Sequence, residues 1–280
     1  MKKVGFIGVG IMGKSMVRNL MKAGFELHIY ARTKSKVEDV IGEGAQFHES
    51  IKDCVQDCDA VITIVGFPQD VEEVYFDEGN ILDSAKEGAY LIDMTTTSPQ
   101  IAEKIYAEGT KRGFHVMDAP VTGGDTGAKA GTLSILVGGE KEDYEACMPL
   151  FEAMGTNINY QGKAGCGQHC KLANQIMIAG TLSGVCEALT YAKEQGLDPE
   201  VFMKSVATGA AGSKQLDTFG PKILKDDYAP GFFMKHFIKD MKLALIEANR
   251  KGLSLDVLSM VLANYEELEQ EGYGDLGTQA

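Results

Sequence analysis

Short apolar runs alternate with stretches of helical spacing along the N-terminal part of the chain. The apolar runs predict strands at Val4–Gly8, Leu27–Tyr30, Ala60–Val65, Tyr90–Asp93, His115–Asp118 and Leu133–Val137. Between them, apolar residues recur with helical spacing, most clearly at Met12–Ala23, Pro99–Arg112 and Glu142–Met154. Strands that alternate with helices predict an α/β fold with a doubly wound, parallel sheet.

The pattern becomes entirely helical after Gly162. Residues Gly167–Gln195 contain no proline and predict one long helix of roughly 40 Å, at about 1.5 Å per residue. Further helices are predicted at Glu200–Ala207, Lys214–Lys225, Phe237–Lys251 and Asp256–Glu271. We therefore expect an α/β domain over residues 1–163 and an all-α domain over residues 164–280, which begins with the long interdomain helix.

Composition and charge exclude several classes of function. The chain has 27 Lys and Arg residues against 40 Asp and Glu, a formal net charge of −13. Binding to nucleic acids and to anionic membranes depends on clusters of Lys and Arg, so we expect neither partner. No apolar run is interpreted as a membrane span, and the six cysteines are interpreted as free thiols rather than metal ligands. We expect a cytoplasmic protein without a metal site.

A glycine-rich turn follows the first predicted strand and opens the first predicted helix, with the sequence Gly8-Val9-Gly10-Ile11-Met12-Gly13. In this setting the first glycine forms the tight turn, the second lets a pyrophosphate approach the backbone, and the third allows close packing of helix on strand. The amides at the start of the helix are donors for phosphate oxygens. This stretch predicts a dinucleotide site in a Rossmann-type domain.

The end of the second predicted strand bears on which dinucleotide is bound. Sites for NAD usually carry an acidic residue there, which holds the ribose hydroxyls. Here the chain has Arg32, Thr33 and Lys36 and no acid between Tyr30 and Lys36. Because a guanidinium matches the geometry of a phosphate, we predict a preference for NADP over NAD. The alternative is that Arg32 only stacks on the adenine, and both cofactors are used.

Four segments of the chain resemble the motifs of the β-hydroxyacid dehydrogenase family. The N-terminal segment Phe6–Leu20 is similar to the family signature, and three more agree in order and spacing: Asp118–Gly124, Gly165–Gln175 and Lys239-Asp240-Met241. The family includes 3-hydroxyisobutyrate dehydrogenase, tartronate semialdehyde reductase and the glyoxylate/succinic semialdehyde reductases. The resemblance covers essentially the whole chain. It implies an NAD(P)-dependent oxidoreductase for a small hydroxyacid or aldehyde acid, and a homodimer or homotetramer by analogy.

The resemblance also implies roles for individual residues. Lys171 is the expected general acid/base, and Asn174 is expected to orient the substrate or that lysine. The expected substrate-binding residues are Thr122, Gly123, Gly124 and Gln175. The expected cofactor-binding residues are Gly8, Gly10, Ile11, Met12, Gly13, Arg32, Thr33, Lys36, Val65, Thr96 and Lys239.

Elementary chemistry agrees with the roles implied for the central segment. On a helix, Lys171, Asn174 and Gln175 share one face, because they are three and four residues apart. A carbonyl that receives a hydride develops an alkoxide-like oxygen, to which a lysine ammonium can donate a proton. The amides of Thr122-Gly123-Gly124 can form a concavity that binds a carboxylate.

The substrate itself is less closely defined by the sequence. Ala211-Gly212-Ser213 and Pro230-Gly231-Phe232 resemble the tartronate semialdehyde reductase and 3-hydroxyisobutyrate dehydrogenase groups, but Phe233 stands where the former tend to carry Arg. Lys235-His236 resembles the glyoxylate/succinic semialdehyde reductases instead. Two alternatives are a non-catalytic NADP-binding protein and an imine reductase. Loss of the lysine would mark a non-catalytic member, and imine reductases of this fold often carry Asp in its place. The presence of Lys171 therefore argues against both alternatives.

Overall fold

The computed structural model describes residues 1–280, which form two compact units, Met1–Lys171 and Leu172–Ala280. The first unit contains all the strands of the protein, and the second is helical. The predicted fold class, a Rossmann-type α/β domain followed by an all-α domain with a long helix, is confirmed.

One sheet of nine strands forms the centre of the first unit. Its strands are β1 (Lys3–Ile7), β2 (Glu26–Tyr30), β3 (Gln46–His48), β4 (Ala60–Thr63), β5 (Tyr90–Asp93), β6 (His115–Asp118), β7 (Val121–Thr122), β8 (Leu133–Gly138) and β9 (Gly155–Gly162). The order is β3-β2-β1-β4-β5-β6-β8-β7, with β9 paired to β8. Strands β1 to β6 are parallel, whereas β8 runs antiparallel to β6 and β7.

Helices cover both faces of this sheet. They are α1 (Ile11–Lys22), α2 (Glu38–Gly42), α3 (Ile51–Val55), α4 (Pro68–Phe76), α5 (Ile81–Ser84), α6 (Pro99–Lys111), α7 (Gly124–Ala130), α8 (Lys141–Ala146) and α9 (Met148–Met154). Successive strand residues point to opposite faces, so Ile62 belongs to one core cluster and its neighbour Val61 to the other. Both faces of the central strands are therefore buried, as a doubly wound sheet requires.

Some details of the first unit differ from the sequence-based expectations. The sheet is not wholly parallel, and β3, β7 and β9 were not predicted. Strand β9 was missed because it is largely exposed and polar, with Asn157, Asn159 and Gln161 in place of an apolar pattern. The predicted helix Glu142–Met154 is two helices that meet at Cys147, two residues before Pro149. A proline fits best in the first turn of a helix, and Pro149 lies in the first turn of the new helix here.

The second unit is built from helices alone. They are α10 (Cys166–Glu194), whose first turn belongs to the first unit, α11 (Pro199–Val206), α12 (Lys214–Ile223), α13 (Met234–Arg250) and α14 (Asp256–Gln270). The interior of this unit includes Leu172 and Ala179 of α10, packed with side chains of α13 and α14.

Helix α10 is long and apolar, although no apolar run of the sequence was interpreted as a membrane span. By length and composition alone, its 29 residues are apolar enough to cross a membrane, with a mean hydropathy of 1.2 over the best window. The same composition is typical of the central helix of a helical domain. Within the second unit, Leu172, Ala179, Val185 and Leu189 of this helix are buried in the protein interior.

Candidate functional site

The glycine-rich turn lies between β1 and α1. Gly8 has a φ of +95°, and a Cβ atom there would lie 2.2 Å from the carbonyl oxygen of Ile64. A Cβ atom on Gly13 would lie 2.2 Å from the carbonyl oxygen of Gly8. Close packing therefore requires these two glycines, whereas no heavy atom lies within 4 Å of a Cβ atom on Gly10.

The open space at Gly10 fits the approach of a dinucleotide pyrophosphate to the backbone. Helix α1 begins at Ile11 and has no acidic residue in its first turn, so its amides and its dipole favour an anion there. Ile11 is 55% exposed and Met12 is half-buried. These observations agree with the use of the turn as a phosphate-binding loop.

The loop after β2 presents basic and hydroxyl groups at the surface. Arg32, Thr33 and Lys36 are all exposed, and Thr33 precedes a short 3₁₀ turn at Lys34–Lys36. The Arg32 side chain is 75% exposed, with Nη1 3.2 Å from Oδ1 of Asp70 on α4. This ion pair involves one guanidinium nitrogen, and most of the group faces solvent. Donors suited to a phosphate thus stand where NAD-specific sites carry an acid.

The loops after β4 and β5 are held together by hydrogen bonds. The backbone N–H of Val65 donates to Oγ1 of Thr95 (2.9 Å). The Asp93 carboxylate accepts from Oγ1 of Thr63 (2.7 Å) and from the N–H of Thr95 (3.1 Å). Asp93 is only 2% exposed, and this burial raises its pKa to about 6 in spite of the two donors. Thr96 is half-buried in the same loop.

The start of α10 is anchored on the end of β6. Oδ1 of Asp118 accepts from the N–H of Gly165 (2.8 Å), and Oδ2 accepts from the N–H of Gln168 (2.8 Å). Burial raises the pKa of Asp118, while the two backbone donors act in the opposite direction. A Cβ atom on Gly167 would lie 2.4 Å from the carbonyl oxygen of Leu136. The first turn of the helix therefore packs against backbone at both β6 and β8.

The turn Thr122-Gly123-Gly124 connects β7 to α7. Gly123 has a φ of +129° and Gly124 a φ of +64°, conformations that residues with a side chain rarely adopt. No heavy atom lies within 4 Å of a Cβ atom on Gly124. The turn thus leaves space beside consecutive backbone amides, which is the arrangement that an anion-binding concavity needs.

Lys171 is the last residue of the first unit and is only 7% exposed. A lysine is rarely buried to this extent without a specific role or partner. It follows Gln168 by one helical turn and precedes Asn174 by another, so these residues lie along one side of α10.

In the second unit, hydrogen bonds link the other predicted residues. Nε2 of Gln175 donates to Oδ2 of Asp240 (2.6 Å), and Nδ2 of Asn174 donates to Oε1 of Gln175 (2.9 Å). Nζ of Lys239 lies 3.0 Å from Oδ1 of Asp240. Because a carboxylate only accepts hydrogen bonds, Asp240 fixes the orientation of the Gln175 amide, and that amide in turn holds Nδ2 of Asn174.

Sequence reasoning missed Asp93, Gln168 and the contact of Asp70 with Arg32. Gln168 could have been found, because it lies one helical turn before Lys171 inside the Gly165–Gln175 motif. The six cysteines are free thiols, and no group of three or more His, Cys, Asp or Glu side chains is arranged to hold a metal ion.

Comparisons with known proteins match both halves of the chain. The sequence pattern of the NAD binding domain of 6-phosphogluconate dehydrogenase matches residues 3–162, and that of NAD-binding of NADP-dependent 3-hydroxyisobutyrate dehydrogenase matches residues 165–280. An uncharacterized oxidoreductase of Bacillus subtilis (strain 168), YkwC, is 50% identical over 279 residues, which cover 100% of this chain and 97% of that protein.

Two further similarities involve proteins with a stated activity. The 2-hydroxy-3-oxopropionate reductase of Escherichia coli (strain K12) is 37% identical over 253 residues, covering 90% of this chain and 86% of the reductase. The structure of Mycobacterium tuberculosis 3-hydroxyisobutyrate dehydrogenase with L-serine is 27% identical with a TM-score of 0.91, covering 100% of this chain and 97% of that one.

Proposed function

Given that the chain belongs to the β-hydroxyacid dehydrogenase family and is an NAD(P)-dependent oxidoreductase, we propose that it interconverts a small β-hydroxyacid and its aldehyde acid, with NADP as the preferred cofactor and Lys171 as the general acid/base. The observation that carries this proposal is the burial of Lys171 on a helix whose first turn is anchored by Asp118. A lysine held in this way keeps a defined position for proton transfer.

The proposed chemistry assigns a task to each group of residues. A dinucleotide bound at the Gly8–Gly13 turn would supply the hydride in reduction and would receive it in oxidation. In reduction, the Lys171 ammonium donates a proton to the oxygen that becomes the alcohol, and its charge stabilises the developing negative charge. In oxidation, the neutral amine takes the proton back. The amides of Thr122-Gly123-Gly124 bind the substrate carboxylate, and Asn174 and Gln175 orient the substrate.

The names of the relatives narrow the substrate class. 3-Hydroxyisobutyrate and 2-hydroxy-3-oxopropionate both have a carboxylate and an oxygen function on the third carbon, and they differ at the second carbon. We extend this common skeleton to the present chain. Phe233 favours a substrate less polar than tartronate semialdehyde, because it replaces the Arg of the tartronate semialdehyde reductases with an apolar ring.

The first experiment measures the loss of NADPH absorbance with glyoxylate, succinic semialdehyde, tartronate semialdehyde and methylmalonate semialdehyde. We expect turnover of at least one aldehyde acid. Lys171→Ala lowers kcat by orders of magnitude at unchanged NADPH affinity, since it removes the proton donor and leaves the dinucleotide loop intact. Lys193→Ala, in the last turn of the same helix, is the matched control and keeps the wild-type kcat. Near-normal turnover by Lys171→Ala contradicts the assignment.

The cofactor preference rests on Arg32 and is tested separately. We expect kcat/KM to be higher for NADPH than for NADH, and Arg32→Ala to lower the ratio about tenfold, because a charge-assisted contact with the 2′-phosphate is lost. Arg112→Ala removes an exposed arginine that pairs with Asp83 elsewhere in the same unit and leaves the ratio unchanged. If Arg32→Ala leaves the ratio of kcat/KM for NADPH to kcat/KM for NADH unchanged, Arg32 does not bind the 2′-phosphate.

We also propose a cytoplasmic location and a homodimer or homotetramer. The free thiols support the location, since disulfides are rare in reducing compartments. Exposed apolar side chains of the second unit, among them Met177, Val257 and Met260, support self-association. Light scattering on the purified protein gives the number of subunits, and a monomeric mass refutes the oligomer.

A further inference from the structure

Gln168 is a polar residue with no exposed surface, in the first turn of α10 and one turn before Lys171. A buried amide is costly unless its donor and its acceptor are both used. The partners of the Gln168 side chain therefore indicate what it does.

Both ends of this amide bind backbone on the loop that follows β5. Nε2 of Gln168 donates to the carbonyl oxygen of Thr95 (2.7 Å), and Oε1 accepts from the N–H of Thr97 (3.0 Å). The two partners flank Thr96, the residue of this loop with a proposed role in cofactor binding. The backbone N–H of Gln168 donates to Asp118, so the residue is fixed at its main chain as well.

The same loop is connected to its other neighbours in the first unit. Thr95 donates its N–H to Asp93 and accepts from the N–H of Val65 through its hydroxyl. The loops that end β4 and β5 and the first turn of α10 therefore form one hydrogen-bonded assembly. The Gln168 side chain makes two hydrogen bonds from that turn to the Thr95–Thr97 loop.

We infer that Gln168 is a positioning residue: its side-chain amide holds the Thr95–Thr97 loop, with Thr96, against the helical turn that carries Lys171. The inference rests on the proposed function, because it links a cofactor contact to the proton donor. The Gln168 side chain fixes these two parts of the site to each other through two hydrogen bonds, and a shift of either part lowers the rate.

Two substitutions separate this role from simple support of the fold. Gln168→Leu keeps much of the volume but removes both side-chain hydrogen bonds. Gln168→Glu is nearly isosteric: its neutral carboxyl can donate to Thr95 and accept from Thr97, whereas its carboxylate can only accept and faces the Thr95 carbonyl oxygen. Ile81→Ala, in a fully buried position on α5, is the control for lost stability with the Gln168 hydrogen bonds left in place.

The experiment compares kcat, the dissociation constant of NADPH and Tm for the wild type and the three variants. We expect Gln168→Leu to lower kcat at least about tenfold and to raise the NADPH dissociation constant about threefold. Ile81→Ala lowers Tm but changes neither quantity. For Gln168→Glu, kcat relative to the wild type rises as the pH is lowered, because burial favours the neutral carboxyl that restores both hydrogen bonds.

The inference is overturned if Gln168→Leu and Ile81→Ala, at a similar loss of Tm, change kcat and the NADPH dissociation constant equally. It is also overturned if kcat of Gln168→Glu depends on pH in parallel with kcat of the wild type. Should Gln168→Leu not fold, the pH profile of Gln168→Glu decides. A wild-type chain that binds NADPH but reduces no aldehyde acid overturns the proposed function instead. The inference is then decided by the NADPH dissociation constants of the variants.

Discussion

Gly167→Ala tests whether the first turn of α10 is packed as tightly as the structure indicates. The new Cβ atom would lie 2.4 Å from the carbonyl oxygen of Leu136 and 2.8 Å from Oδ2 of Asp118. Ordinary contacts begin at 3.4 Å, so the turn must retreat by about 1 Å, the difference between 3.4 and 2.4. A retreat of that size lengthens the 2.8 Å hydrogen bonds of Asp118 to about 3.8 Å, which breaks them.

Two effects follow from this displacement. The loss of packing and of hydrogen bonds to a buried carboxyl lowers the free energy of unfolding by about 2–4 kcal/mol. The displacement of Lys171, four residues further along the helix, lowers kcat by about a hundredfold.

The assay is urea unfolding followed by far-UV circular dichroism, since the chain has no tryptophan, together with steady-state kinetics. Gly42→Ala is the matched control, because no heavy atom lies within 4 Å of its Cβ position on α2. This control gains about 0.4–1 kcal/mol from the lower entropy of its unfolded state. Gly167→Ala with wild-type stability and kcat refutes the reasoning.

Two further predictions concern the buried carboxyl groups at the ends of β5 and β6. For Asp93, the folded-state pKa of about 6 exceeds the ordinary 3.8, so the stability contributed by its neutral form is lost as the pH rises through 6. Urea unfolding measures the free energy of unfolding of the wild type and of Asp93→Asn. Between about pH 4 and pH 8, that of the wild type should fall by about 3 kcal/mol relative to that of the variant. Free energies that change in parallel with pH contradict this prediction. Asp118→Asn replaces one accepting carboxylate oxygen with an NH₂ group that faces a backbone N–H. We expect it to lower the free energy of unfolding by about 2–3 kcal/mol. Asp57→Asn, at an exposed position, is the control and lowers the free energy of unfolding much less. Equal shifts of the urea midpoint in the two variants contradict the anchoring of α10 by Asp118.

Much of the fold could be predicted because its elements bury apolar side chains with regular spacing. Strands Tyr90–Asp93 and His115–Asp118 were predicted with the observed bounds, and α10 within one residue at each end. The two strands are largely buried, and Gly or polar residues lie at or beside the limits of all three segments. Strand β3 has only three residues, too few to establish a period.

The residues of the candidate site could be predicted where a motif requires a particular backbone shape. Gly8, Gly13 and Gly167 show why, since a side chain at each would meet a backbone oxygen. Contacts between distant segments could not be predicted in this way. Gln168 bonds to a loop that lies 71 and 73 residues earlier in the chain, and no local pattern records such a pairing.

The two outer strands of the sheet affect how the protein behaves at high concentration. An exposed strand edge carries unpaired backbone groups that can pair with another chain and begin aggregation. Strand β3 offers only a short edge of three residues, and the long β9 presents Asn157, Asn159 and Gln161 rather than apolar side chains. Nδ2 of Asn159 donates to Oδ1 of Asn157, and Nδ2 of Asn157 donates to Oγ of Ser134 within the same sheet. The short length of β3 and the two register shifts in the pairing of β9 with β8 are features that disfavour the pairing of these edges with another chain.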